Sequence, residues 1–282
     1  DKHPMQAAVN AFHHKPTGSW TYVVRDPGTR AAAVIDPVLD YDWRSGRTGT
    51  ASADQVIAHC RAAGANVLWI LETHAHADHL SAAQHVRTAL GGSTAIGRGV
   101  LDVQRTFKRI FGLDDSFAAD GSDFDQLQIE VLPVPGHTND SVAYLVGDAV
   151  FVGDTIFMPD GGTARCDFPG GDAAALYRSV QRLYHLPLAT RVFVCHDYSP
   201  GGREPRCESS VADQLAANIH VREGVSEEAF VQMRRTRDAT LDVPNLLIPA
   251  VQVNIRAGKL PPPDADGVSY LRVPLNILGR PL

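Results

Sequence analysis

The sequence predicts an α+β protein built as layers of helix, sheet, sheet and helix. Two observations lead there. Apolar runs of strand length are interleaved with stretches of helical period along all 282 residues, with no internal repeat and no interdomain linker. Several of those apolar runs end in histidine or aspartate, the pattern expected when strands finish along one edge of a sheet. With 44% hydrophobic and 21% charged residues the chain can bury such a core. One domain is expected over 1–282, with a short helical and extended C-terminal extension from about 205 to 282.

Residues 21–25 and 31–36 read as short strands separated by a Pro27-Gly28 turn. The polar stretch 41–50 is expected as a loop. It leads into a helix with Ser52 as N-cap, Gln55 completing a capping box, and Gly64 as its stop. Val67-Leu68-Trp69-Ile70-Leu71 is too short for a typical helix and reads as a strand buried on both faces. Leu80, Ala83, Val86 and Leu90 then recur near helical period until Gly91-Gly92. A helix is expected over 101–111, and strands near 128–132, 142–146 and 149–152. Asp172 caps a helix carrying Leu176, Val180 and Leu183 on one face. Residues 192–195 read as another buried strand. Helices over roughly 209–219 and 226–239 follow, then a Pro-rich extended tail, stiffest at Pro261-Pro262-Pro263.

A formal net charge of −6 argues against nucleic-acid or acidic-membrane binding, which needs clustered positive charge. No run of about 18 apolar residues exists, so no transmembrane helix is expected. The start, Asp1-Lys2-His3-Pro4, shows no charged-then-apolar leader. Cys60, Cys166, Cys195 and Cys207 have no CxxC spacing, so reduced thiols in a cytoplasmic compartment are expected.

His74, His76, Asp78 and His79 fall within six residues at the end of the 67–71 run. In extended backbone residues two apart point the same way, so His74 and His76 can face one centre. Asp78 and His79 follow where the chain turns into its helix and can approach from another side. Further along, Gly136-His137, Gly153-Asp154 and Cys195-His196 each follow an apolar run. Singly, each would be an ordinary structural or surface residue. Together they predict a metal-binding cleft.

This set, HxHxDH followed by GH, GD and a late His, resembles the metallo-β-lactamase superfamily. That resemblance implies an αββα sandwich, two mixed β-sheets flanked by helices, with metal at one edge. Residues 72–81, ETHAHADHLS, look like persulfide dioxygenases. Residues 161–172, GGTARCDFPGGD, and 245–261, which contain VNIRAG, are similar to the bacterial branch of those enzymes. The likeness extends over essentially the whole chain. It implies a cytoplasmic, homodimeric enzyme with one non-haem Fe(II) per chain. The implied reaction oxidises glutathione persulfide with O2 and water to sulfite and glutathione.

The same resemblance implies His74, His137 and Asp154 as iron ligands. Two histidines and a carboxylate on one face are the ligand set of non-haem Fe(II) oxygenases, with coordination positions left open. His76, Asp78, His79 and His196 would orient those ligands and hydrogen-bond bound water. Asp197 would brace its loop. Glutathione carries carboxylates that suit planar arginines, and Arg165 and Arg256 match family positions for that role. Tyr177, Tyr198 and Asn254 would be their hydrogen-bonding companions. No catalytic side chain is expected beyond the metal centre, and Cys166 reads as a small buried thiol.

A glyoxalase II-like thioester hydrolase with two metals would use the same histidines and aspartates. Every ligand type a second metal needs is present, so the single iron rests on the resemblance. The GGTARCDFPGG segment, and the lack of a long Lys/Arg-rich helical C-terminal region, weigh against the hydrolase. A non-catalytic persulfide sensor would have a degraded ligand set, whereas all three implied ligands are intact. There is no rhodanese-like segment.

Overall fold

The computed structural model describes residues 6–113 and 129–279. The N-terminal half runs β1 (Ala8–His14), β2 (Ser19–Arg25), β3 (Ala31–Ile35), β4 (Val38–Asp42), β5 (Arg47–Gly49), α1 (Ala51–Ala62), β6 (Asn66–Glu72), β7 (Leu80–Ser81), α2 (Ala83–Leu90), β8 (Ser93–Ile96) and α3 (Val100–Phe111). It continues with β9 (Ile129–Pro133), β10 (Val142–Val146), β11 (Ala149–Phe151), α4 (Ala173–Tyr184), β12 (Arg191–Phe193), β13 (Glu208–Ser210), α5 (Val211–Ala217), α6 (Glu227–Asp238) and α7 (Leu247–Asn254).

One five-stranded sheet has the order β1-β2-β3-β6-β8 and the other β13-β12-β11-β10-β9. Both are mixed: β3–β6–β8 and β11–β12 pair in parallel, their neighbours antiparallel. The two sheets face each other through a seam that includes Tyr22, Ile35, Trp69 and Leu71 on one side and Tyr144, Phe151 and Phe193 on the other. Val56, Ile57 and Val86 of α1 and α2 cover the outside of the first sheet. Leu176, Val180 and Phe230 of α4 and α6 cover the second. The layers are therefore helix, sheet, sheet, helix, the metallo-β-lactamase fold, as the sequence predicts. A strand with helices or sheets on both faces must be apolar throughout, which explains the unbroken runs in β3 and β6. Each large aliphatic side chain so buried contributes about 1.5–3 kcal/mol. Among the described residues no helix is long and apolar enough to cross a membrane.

The departures from expectation have local causes. β1 is an edge strand whose mostly half-buried residues give little hydrophobic pattern. The stretch expected as a loop at 41–50 contains a hairpin, because β4 pairs with both β5 and β7 in a small third sheet. Ser52 does not cap α1. The helix starts at Ala51 after Thr50, and Asp40 takes both the Ser52 N–H at 2.9 Å and its hydroxyl at 2.6 Å. α2 begins at Ala83, because Leu80 and Ser81 are drawn into β7. β8 is only four residues long and follows the Gly91-Gly92 stop directly. α7 replaces part of the expected extended tail. Pro249 stands in its first turn, where a missing N–H has no cost. Gln128, the first residue of one expected strand, lies outside the described residues; β9 begins at Ile129.

Candidate metal centre

The centre is assembled where β6, β9, β11 and β12 end. Asp36, just past β3, has φ +51°, a left-handed conformation that Asp tolerates better than most residues. From there its carboxylate accepts the Thr73 N–H and the Thr73 hydroxyl, each at 2.8 Å, which fixes the chain as it leaves β6. The next residue, His74, is 1% exposed; its Nδ1 lies 3.1 Å from Thr73 Oγ1. His76 turns its Nε2 the other way, 2.9 Å from Asp36 Oδ1 and 3.3 Å from Glu72 Oε2. Asp140 accepts the Ala75 N–H at 2.7 Å between the two.

Two glycines bring the remaining strand ends close. A Cβ on Gly136 would lie 2.3 Å from Leu176 Cα, so only glycine lets α4 pack against the turn before His137. Gly153 has φ +54°, and its Cβ would lie 2.7 Å from Thr73 Oγ1. These are the glycines of the GH and GD pairs. His137 Nδ1 lies 2.7 Å from the Arg165 carbonyl, which can only accept, so Nδ1 carries the proton and Nε2 is a free lone pair. Asp154 Oδ2 stands 3.7 Å from both His74 Nε2 and His137 Nε2.

His74, His137 and Asp154 thus each present one donor atom, all within 4.8 Å of one another and all buried. His74 Nε2 is buried without any hydrogen-bond partner, a costly arrangement for a ring nitrogen unless an ion takes the lone pair. The donor chemistry fits a divalent metal, and the cluster is a metal-binding site of His and Asp residues. Burial first, then the neighbouring His76 and His137 rings, hold the His74 pKa well below the ordinary range, so its imidazole is neutral as a ligand must be. Burial opposes ionisation of Asp154, but the adjacent His196 outweighs it and lowers the Asp154 pKa.

The other cluster residues pair among themselves. His196 bridges two carboxylates, with Nδ1 2.5 Å from Asp154 Oδ1 and Nε2 against Asp78 Oδ2. Burial disfavours its charge, yet Asp154 and Asp78 raise its pKa well above the ordinary value. Asp36 does the same for His76, again against burial. Burial, reinforced by the His76 charge, pushes His79 down to about 4. Asp197 accepts from Arg203, at 2.5 and 2.9 Å, and from the Arg206 N–H at 2.6 Å, tying the loop after β12 to the 203–206 segment.

The expected substrate residues separate into two groups. Arg165 lines a groove of about 990 Å³ that reaches His137; its guanidinium is held by Asp167 at 2.5 and 2.6 Å and by the Asp242 carbonyl at 2.7 Å. Tyr198 is 65% exposed, its ring parallel to that of His196 at 6.0 Å. The other three point into the fold. The Tyr177 hydroxyl donates to the Val225 carbonyl at 2.7 Å. Asn254 accepts the Ser81 N–H and donates to the carbonyls of His76 and His79, each at 2.8 Å. Arg256 is buried and donates to the Gln252 carbonyl. Cys166 is buried, and burial pushes its thiol up to about 12, which leaves no thiolate at neutral pH.

Sequence reading missed Ser19, whose hydroxyl touches His196 Nε2 at 2.9 Å and His79 Nδ1 at 3.2 Å. It also missed the structural roles of Asp36 and Asp140. Asp36 directly before Pro37 at a strand end was the available signal; nothing local marked Ser19.

Residues 14–196 match the family described as the Metallo-beta-lactamase superfamily. A probable metallo-hydrolase of Burkholderia pseudomallei is 51% identical, over 96% of this chain and 99% of that one. A beta-lactamase hydrolase-like protein of Xylella fastidiosa is 50% identical over 96% of this chain, which spans only 65% of that longer relative. The mitochondrial persulfide dioxygenase ETHE1 of Bos taurus is 28% identical, over 87% of this chain and 86% of its own. Among solved structures, ETHE1 from Myxococcus xanthus superimposes with a TM-score of 0.71 at 28% identity, covering 89% of this chain and 100% of that one.

Proposed function

The chain belongs to the metallo-beta-lactamase superfamily, and from that premise we propose that it is a persulfide dioxygenase, oxidising glutathione persulfide with O2 and water to sulfite and glutathione. The observation that carries this reading is the donor set: two histidine nitrogens and one carboxylate oxygen converge at buried positions, the ligand set of non-haem Fe(II) oxygenases. An Fe(II) held by His74, His137 and Asp154 would supply the electron density that activates O2, which redox-inert Zn(II) cannot. The bovine and Myxococcus likenesses support the same choice.

The groove beside His137 has the size of a small-molecule site and is lined by Arg165 and Arg235, with Phe168, Leu241, Val243 and Leu278 as apolar wall. Arg165, oriented by Asp167, would pair with a carboxylate of the tripeptide, placing the persulfide at the inner end near His137 and Ala77. Tyr198 would close the approach beside His196.

One observation favours a second reading. His76 Nδ1 and His79 Nε2 are also buried without partners, and His76, Asp78 and His79 form their own cluster of possible ligands. A dinuclear hydrolase of glutathione thioesters would use them, and the relatives near 50% identity carry hydrolase names. Metal analysis with oxygen uptake separates the two. The dioxygenase reading expects about one iron per chain, O2 consumption on adding glutathione persulfide, and a raised KM without metal loss in Arg165→Ala. Two zinc ions, no O2 uptake and hydrolysis of S-lactoylglutathione would overturn it.

A further inference from the structure

His137 offers Nε2 to the metal only because the Arg165 carbonyl holds the proton on Nδ1. The position of that carbonyl is set by what holds residues 162–166, and those partners lie far along the chain. Arg234, on α6, is 1% exposed, one of the largest fully buried side chains of the protein. Its Nε lies 2.9 Å from Asp238 Oδ1 one turn later, and its second nitrogen donates to the Thr163 carbonyl at 3.1 Å. The other oxygen of Asp238 accepts the Cys166 N–H at 2.8 Å. The pair therefore grips the backbone on both sides of Arg165, two residues before it and one after. Asn218 and His220 add bonds to the Gly162 carbonyl, at 3.1 Å, and the Thr163 N–H, at 2.9 Å.

A buried ion pair is a poor device for stability alone, since apolar residues of similar volume serve as well or better. What apolar residues cannot do is donate to one named carbonyl while accepting from one named N–H. We infer that Arg234 and Asp238 are positioning residues of the metal centre: they fix the Arg165 carbonyl, which fixes the tautomer and direction of His137. Both lie beyond the 14–196 span that matches the superfamily, so this chain completes the orientation of a metal ligand with residues from its C-terminal part. The inference holds whichever reaction the metal serves, because it concerns the ligand and not the substrate.

The test separates positioning from folding. In the full chain, Arg234→Met combined with Asp238→Leu removes the charges together but leaves the Thr163 carbonyl and the Cys166 N–H without these partners, so metal-free thermal unfolding should fall moderately and metal affinity is compared where the variant is folded. Affinity for Co(II), measured by chelator competition on metal-free protein, should still fall several-fold, less than the roughly 10–100-fold that follows loss of a ligand's direct partner, because the Arg165 carbonyl itself remains. Nitrogen NMR should show His137 losing its pure Nδ1–H form. Unchanged Co(II) affinity in the folded double variant would overturn the inference. If that variant does not fold, Asp238→Asn serves, since Arg234 and Cys166 meet opposite oxygens of Asp238 and in asparagine one of those atoms becomes an NH2 that cannot accept. A several-fold weaker Co(II) affinity supports the inference there, and an affinity equal to that of the unmodified chain overturns it.

Discussion

Asn254 offers the sharpest separation between a residue that binds substrate and one that builds the site. Its carboxamide is 6% exposed and fully engaged: the oxygen accepts from Ser81 N–H, and the two amide hydrogens reach the carbonyls of His76 and His79. Asn254→Ala would leave a buried N–H and two buried carbonyls without partners. At about 0.5–1.5 kcal/mol for each hydrogen bond, the loss is about 2–4 kcal/mol. For a chain of this size that moves the urea midpoint by about 1 M. Asn254→Asp should be worse than alanine, because a carboxylate keeps the Ser81 bond but turns a charged oxygen toward the two carbonyls. The assay is urea unfolding of metal-free protein, followed by metal titration of whatever folds. An Asn254→Ala variant with the normal midpoint and metal affinity but a raised substrate KM would refute the reasoning and return Asn254 to the substrate.

Two further outcomes rest on equally local geometry. Gly153→Ala combines a left-handed backbone, costing about 1–2 kcal/mol, with a Cβ 2.7 Å from Thr73 Oγ1 that forces Thr73 and hence His74 to shift; it should destabilise the chain and weaken metal binding together. Gly46→Ala, at φ +68° with nothing within 4 Å of the added carbon, should cost only the backbone part and leave metal affinity intact, so equal effects on metal binding would count against the clash. His220 should make stability pH-dependent: burial, then the charges of Arg234 and Arg237, push its pKa from 6.5 to about 4, and its Nδ1 accepts the Thr163 N–H. The unfolded chain binds that proton first, so the contribution is fully present above pH 6.5 and lost as pH falls toward 4. Allowing for its partial exposure, this is of order 1–2 kcal/mol. Unfolding of the unmodified chain and of His220→Gln at both pH values measures it, and parallel pH profiles would refute it.

The parts of the site that were legible in the sequence are those encoded within a few residues. His74 to His79 announce themselves by spacing, and Gly136-His137 and Gly153-Asp154 by a strand followed by a glycine that close packing demands. The sandwich was legible for the same reason, since β3 and residues 67–71 of β6 are apolar without interruption. What stayed hidden depends on pairing across distance. Ser19 meets His196 across 177 positions, and Asn254 meets His76 across 178. No local pattern distinguishes such residues from a surface serine or a helical asparagine. β1, β5 and β13 are short or half-exposed strands, defined by their partners rather than by their own composition.

That division has a physical consequence for how the C-terminal part of the chain is used. Two of its helices act on the two sides of the metal centre: α7 through Asn254, on the loop that carries His76 and His79, and α6 through Arg234 and Asp238, on the loop behind His137. Neither helix supplies a residue to the His74, His137 and Asp154 cluster. Both supply donors and acceptors to backbone atoms, which changes the direction of a ligand without changing its identity. A relative with the same HxHxDH, GH and GD residues but a different C-terminal part would therefore hold the same ligands at a different precision. Metal affinity, rather than the ligand list, is where such chains should differ.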